Sequence, residues 1–195
     1  MSNPWITAKV PLEAEARTPT GKRKSHHVAA ERSYVLPGDP AGRLPQWSVP
    51  SSRNVPWWWT GCHGGAGVSS LAATIPAGID AGRRWPVPTD DSASRVLLVA
   101  RSHAPGLRAA QGAARQWASG TIPQVHLLGL VVVADAPGTL PRPLRDLLRL
   151  LTGAFPAIWT VPWIEEWRFG TASPSHSPAS LSRLAKALLT YVGKN

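Results

Sequence analysis

The stretch at residues 57–71, WWWTGCHGGAGVSSL, combines residue types that could bind a phosphorylated ligand. Its glycines allow a backbone to curl around a phosphate with no Cβ in the way. Ser69 and Ser70 supply hydroxyls where a phosphate-binding loop holds magnesium, but Val68 stands where that pattern has its phosphate-gripping lysine. The pattern predicts a binding loop without its lysine. Its candidate residues are Gly61, His63, Gly64, Gly65, Ala66, Gly67, Val68, Ser69 and Ser70.

The elements around the loop are those that a phosphate site requires. An apolar run at residues 55–60 predicts a strand directly before the glycines, and VSSLAAT after them predicts the start of a helix. At such a junction, unpaired backbone N–H groups and the positive end of the helix dipole converge on an anion. The loop is therefore expected at the carboxyl end of a strand.

Further apolar runs predict the rest of the fold. Residues 96–100, 127–134 and 157–161 are continuously apolar, as expected of strands covered on both faces in a parallel sheet. Helical periodicity follows Pro105, covers residues 140–151, and returns after Ser177, which is expected to cap the last helix with Pro178 in its first turn. Alternating strands and helices predict a three-layer α/β domain with a mostly parallel sheet of about five strands.

The first 53 residues differ in composition from the remainder. They contain several prolines, the basic run KRK at residues 22–24, and eight basic against four acidic residues, without sustained periodicity. We expect a flexible, proline-rich basic tail at 1–53 and an α/β domain at 54–195. The whole chain has a formal charge of +10, so its surface would attract DNA or other anions by field alone.

Cysteine content and hydropathy limit the cellular setting. The single cysteine, Cys62, rules out an internal disulfide, and no Cys/His cluster has zinc spacing. The chain lacks a signal-peptide pattern and any apolar run of about 20 residues, so a cytoplasmic protein without a membrane span is expected. Cys62 beside a predicted helix N-terminus could be a nucleophile, but no partner base is identifiable.

The segment HGGAGVSS resembles the KGGVGKTT loop of the ParA/MinD family of deviant Walker P-loop ATPases. In that register the glycines match the family glycines, and Ser69 matches the magnesium-binding threonine. His63 replaces the family's signature lysine, and Val68 replaces the lysine that grips the β- and γ-phosphates. The resemblance implies a reduced P-loop fold and a site for ATP and Mg²⁺.

The resemblance continues through RVLLVARSHAPGLRAAQGAARQW, GLVVVAD and AIWTVPWIEEWRFG, which are similar to the family's later strands and helices. It weakens after the loop, where Pro76 and Gly78 truncate the helix and the chain is too short for all the family's early strands and switches. The chain also resembles a group of small actinobacterial proteins with a GCHGGAG loop, but no activity can be transferred from that group.

Two functions follow from these observations. The first is a degenerate ParA/MinD-like protein that binds nucleotide with little or no ATP hydrolysis, as an accessory in plasmid or DNA partition or in conjugative transfer. The second is a pseudo-NTPase, which binds a protein partner or DNA and no nucleotide. Because Val68 cannot supply charge to a transition state, weak or absent ATPase activity is expected in either case. Arg83, Arg84, Arg101 and Arg168 are candidates to replace the missing cations.

Asp135 is a second candidate metal ligand beside Ser69. It follows a buried strand in VVVADAPG, where a carboxylate could hold magnesium through water, or it could simply start a turn.

Ten tryptophans are a further signal of binding. Since Trp57, Trp58 and Trp59 cannot all face one layer, at least one is expected to stack on a ligand, a partner protein or the tail. A protein partner or a homodimer is also expected.

Overall fold

A computed structural model of the chain describes residues 43–170, 172–173 and 178–194. Strands and helices alternate through this part of the sequence. The strands are β1 (Gln46–Val49), β2 (Trp57–Gly61), β3 (Gly78–Asp80), β4 (Trp85–Pro88), β5 (Ser94–Arg101), β6 (Val125–Val133) and β7 (Ile158–Val161). The helices are α1 (Val68–Thr74), α2 (Ala104–Ala118), α3 (Arg142–Thr152) and α4 (Ala179–Val192), with a 3-10 helix at Glu165–Phe169.

Five strands form the central sheet in the order β3-β2-β5-β6-β7, and every pair is parallel. β1 and β4 form a separate parallel pair. This confirms the α/β class and the mostly parallel sheet of five strands. Because the strands are parallel, the carboxyl ends of β2, β5, β6 and β7 lie at one edge of the sheet.

Each face of the sheet buries its own apolar cluster, because successive side chains of a strand point to opposite faces. On β5, Val96 and Leu98 belong to one cluster with α2 residues such as Leu107. Leu97 and Val99 belong to the other, with residues of α1 and α4. The continuously apolar runs in the sequence are therefore explained by burial on both faces.

The three consecutive tryptophans of β2 all lie in the core. Trp57 and Trp59 share the α1/α4 face and meet edge to face, with ring centroids 5.6 Å apart. Trp58 faces the opposite layer and meets Trp47 at 5.7 Å. Residue 47 falls within the predicted tail, so Trp58 makes one of the three kinds of contact that the sequence left open, and all three tryptophans of β2 are buried.

The structure includes residues 43–53 in the folded region, although the sequence predicts a tail through residue 53. Leu44 and Val49 are buried, and β1 pairs with β4. Prolines flank β1 and interrupt the sequence pattern typical of a strand, and its pairing partner, β4, lies nearly forty residues away. The remainder of the predicted tail, residues 1–42, lies outside the described residues.

The helix ends follow local signals. α1 stops at Thr74, as expected from Pro76 and Gly78, and the chain then enters the short edge strand β3, which sequence periodicity did not predict. α4 begins at Ala179 with Pro178 as its N-cap, one residue later than expected, and Ser177 lies outside the described residues. None of the helices in the described ranges has both the length and the hydrophobicity that crossing a membrane requires.

Candidate functional site

The glycine loop, defined here as residues 61–70, lies between the end of β2 and the first turn of α1. It lines a cavity of about 360 Å³ at the carboxyl edge of the sheet. The cavity brings together all the loop residues expected from the sequence and adds four others. The lining residues are Gly61, His63, Gly64, Gly65, Ala66, Gly67, Val68, Ser69, Ser70, Asp80, Gly82, Arg83 and Arg101.

The loop backbone has the conformation that its glycines permit. Gly65 and Gly67 have φ angles of 72° and 100°, in the left-handed region that L-residues rarely adopt. Gly67 is the N-cap residue of α1, and no side chain caps the first turn of this helix. Within the part of the chain that the structure describes, none of the backbone hydrogen bonds has the N–H of Gly64, Gly65 or Gly67 as its donor. These donors are therefore available to an anion.

Two of the four candidate arginines line this cavity. Arg101, at the end of β5, donates from Nε to the Gly65 carbonyl at 3.2 Å and from Nη1 to the Ala134 carbonyl at 2.8 Å. Arg83 lines the same cavity. The other two lie elsewhere: the guanidinium of Arg84 stacks over Trp47 at 4.3 Å, and Arg168 pairs with Glu165 at 3.2 Å.

Neither residue at the family's lysine positions provides a free cation. Val68 is buried with Leu71 in the core beneath the loop. His63 is held at both ring nitrogens: Nε2 accepts from the Arg101 N–H at 3.0 Å, and Nδ1 lies 2.8 Å from the Gly64 carbonyl. Because Nε2 accepts, Nδ1 carries the proton and donates it to that carbonyl, so this arrangement holds a neutral imidazole.

The electrostatics favour the same state of His63. Burial lowers its pKa below the usual range, the Gly64 carbonyl opposes this, and the nearby His103, Arg83 and Arg101 lower the pKa further. The His63 and His103 rings lie 5.0 Å apart. His63 therefore positions the loop against β5 and is not a cationic substitute for lysine at neutral pH.

The carboxylate beside Ser69 belongs to Asp80. Ser69 Oγ donates to Asp80 Oδ2 at 2.8 Å, and Asp80 Oδ1 accepts from the Gly82 N–H at 2.6 Å. Sequence reasoning missed Asp80 because β3 is too short to show a period, and only its pairing with β2 brings the carboxylate to the loop. Within the described ranges, no three His, Cys, Asp or Glu side chains cluster closely enough to hold a metal by themselves.

Asp135 does not line the cavity of the glycine loop. It is exposed at the end of β6, and its backbone N–H donates to Ser102 Oγ at 3.0 Å. Of the two predicted metal ligands, Ser69 contacts Asp80 and lines a different cavity from Asp135, because β3 and not β6 is the neighbour of β2. The turn interpretation of Asp135 agrees with its exposed position after the strand.

The position of Cys62 argues against a role as a nucleophile. Its side chain is fully buried in the core, and burial raises the pKa of the thiol to about 12. The backbone hydrogen bond to Val99 and the charge of Arg83 lower the pKa by less than burial raises it.

Asp135 lines a second cavity of about 430 Å³, the edge groove, between the end of β6, the start of α3 and the end of β7. Val132, Val161 and Pro162 form part of it, and Leu144 and Leu148 contribute from α3. His103 lines this groove and also contacts His63 of the glycine loop. The segment after β5 therefore separates two neighbouring cavities.

Comparison with known proteins gives one match. The family of unknown function DUF6668 matches residues 56–184, which include the glycine loop and all the residues that line the edge groove. No curated protein and no solved structure gives a significant match. Because the match spans more than half of the sequence, this chain belongs to the family of unknown function DUF6668.

Proposed function

We propose that the glycine loop binds the phosphate groups of ATP with Mg²⁺ and supports little or no hydrolysis. One observation carries this proposal: three loop glycines whose N–H groups make no backbone hydrogen bond within the described residues line the same cavity as Arg101. Backbone N–H groups in a curled loop form an anion-binding concavity without any side chain. α1 has only seven residues, so the loop and the arginines contribute more to anion binding than a helix dipole would.

Arg101 is the best substitute for the missing lysine. Two of its N–H groups bond to carbonyls, and these bonds fix the guanidinium beside Gly65. The remaining N–H groups can donate to phosphate oxygens, to which arginine binds as a planar fork. A charge-assisted hydrogen bond contributes roughly 1.5–3 kcal/mol, so one arginine can recover much of the affinity that a lysine would supply.

Ser69 and Asp80 fit a magnesium site of the usual kind. Protein-bound Mg²⁺ retains several waters and takes one or two carboxylates together with substrate phosphates. The Ser69 hydroxyl and the Asp80 carboxylate already lie within 2.8 Å of each other at the loop. When bound, the ion would neutralise phosphate charge, while these two residues would fix its position.

Hydrolysis is expected to be very slow, because phosphoryl transfer depends on positioned cations that meet developing negative charge. Val68 is buried and apolar, and His63 is held neutral by its two hydrogen bonds. These same observations favour the second candidate, a pseudo-NTPase that binds a partner and no nucleotide. An accessory role in DNA partition or conjugative transfer rests on the resemblance to ParA/MinD proteins alone.

Calorimetric titration with ATP and Mg²⁺, followed in parallel by tryptophan fluorescence, distinguishes the two candidates. We expect saturable binding to the wild type and its loss in Gly67→Asp, which adds a negative charge to the glycine loop and disfavours its positive φ of 100°. Gly138→Asp is the matched control, since Gly138 also has a positive φ of 88° but lies in the edge groove.

The control should bind ATP like the wild type and have the same circular dichroism spectrum. If millimolar ATP fails to bind the wild type, the nucleotide proposal is wrong and the pseudo-NTPase remains.

A further inference from the structure

The edge groove has a feature that the glycine loop does not explain. α3 covers only part of the sheet at this edge: Leu151 is buried, while Leu144 and Leu148 are half-exposed and line the groove. Thr160 of the edge strand β7 is also exposed on this side. An apolar strip between α3 and β7 is therefore open to solvent.

The helix wall of this groove has a cationic rim. Arg145 and Arg149 each follow a groove-lining leucine by one position and are four residues apart, so they share one side of α3. Asp146 pairs with Arg149 at 3.0 Å and with Arg142 at 3.9 Å. In the part of the chain that the structure describes, no ion pair involves Arg145.

Charge on the neighbouring helix is of the same sign. α2 carries Arg108 and Arg115 and no acidic residue, and it packs beside α3. Among the described residues that line the groove, Asp135 is the single carboxylate, and it follows the end of β6. The groove is thus a largely apolar depression that contains one carboxylate, and the helix beside it carries exposed arginines.

We propose that the edge groove docks a short acidic segment of a partner protein. The segment places apolar side chains against Leu144 and Leu148, and its carboxylates meet Arg145 and Arg149. A backbone N–H of the segment donates to Asp135. This surface does not depend on whether the glycine loop binds ATP.

Two features favour a peptide over other anions. No Lys or Arg lies among the described residues that line the groove, so a small molecule confined to it would not reach the rim, whereas a peptide crossing the wall would. A nucleic acid backbone would contact the arginines but leave the apolar strip uncovered. The groove volume of about 430 Å³ falls within the roughly 300–1,000 Å³ of sites that bury a ligand.

The test measures fluorescence anisotropy of the full chain with a labelled synthetic peptide of glutamate, leucine and phenylalanine. The protein variants are Arg145→Glu with Arg149→Glu and, as a matched control of equal charge change, Arg108→Glu with Arg115→Glu. All four arginines are exposed, so both variants should fold. We expect saturable binding that is about tenfold weaker in the first variant and within about twofold of wild type in the second.

Further measurements identify which kind of molecule binds in the edge groove. A peptide with serine in place of its apolar residues should not bind, and Gly67→Asp should leave peptide binding unchanged. Absent binding of the original peptide, or equal weakening by both arginine variants, would overturn the proposal. The proposal would also be overturned if the protein did not bind the peptide but bound duplex DNA or anionic phosphatidylglycerol vesicles, and if Arg145→Glu with Arg149→Glu weakened that binding.

Discussion

The glycine loop and the edge groove occupy the same edge of one sheet, but they differ in how their polar atoms are used. In the loop, His63, Arg101 and Ser69 are all bonded to other protein groups, and backbone N–H groups remain available. In the groove, half-exposed leucines of α3 form part of the lining, and exposed arginines follow them in the sequence. Loop function should therefore depend on backbone geometry, whereas groove function should depend on side-chain charge.

The largest effect on stability is expected at Gly106, where α2 packs closely against Arg101 and against His63 of the glycine loop. A Cβ at Gly106 would lie 2.5 Å from the Arg101 carbonyl oxygen and 2.8 Å from His63 Nε2. Gly106→Ala should lower the free energy of unfolding by about 1–3 kcal/mol, as overpacking does. Urea denaturation measures the change.

Gly153→Ala, at the end of α3, is the control on the groove side. Its Cβ would meet nothing within 4 Å, and its φ of −79° suits any residue. The expected change is within about 0.5 kcal/mol. An equal decrease in the free energy of unfolding in Gly106→Ala and Gly153→Ala would contradict the expectation that the chain packs more tightly around the loop than around the end of α3.

A second prediction separates the cations of the two regions. Arg101→Gln should weaken ATP binding by roughly tenfold, about 1.4 kcal/mol, because a charge-assisted donor is lost from the loop. Arg145→Gln, at the groove rim, should leave ATP affinity unchanged. Titration calorimetry compares the two, and an equal loss would indicate that only the overall charge attracts ATP.

The third and smallest effect concerns pH. The pKa of His63 is lower in the folded than in the unfolded chain, so the unfolded chain binds more protons between the two values. The contribution of His63 to the free energy of unfolding should therefore be constant above a pH of roughly 6.5 and be lost as the pH falls through the folded pKa. Each unit of pKa difference corresponds to about 1.4 kcal/mol.

His63→Gln isolates this contribution, because glutamine can accept from the Arg101 N–H and donate to the Gly64 carbonyl without titrating. Denaturation at neutral and mildly acidic pH should show a smaller loss in this variant than in the wild type. Identical losses would mean that His63 does not titrate as its two hydrogen bonds require.

The core illustrates how far sequence pattern extends. Runs such as VLLVA at residues 96–100 predicted buried parallel strands, and β5 and β6 occur where expected. β1, β3 and β4 were missed, since each has four residues or fewer and depends on a distant partner. The missed strands matter: β3 supplies Asp80, and β1 brings Trp47 to Trp58.

The sequence by itself determined the α/β sheet and the glycine loop, because hydrophobic periodicity and glycine spacing act over a few residues. It also determined that Val68 cannot supply a cation. Tertiary structure decided which side chains meet at the loop. The order β3-β2-β5-β6 brings Asp80 and Arg101 to the glycines and places Asp135 in the neighbouring groove. Such contacts depend on strand pairing between distant segments, which no local pattern specifies.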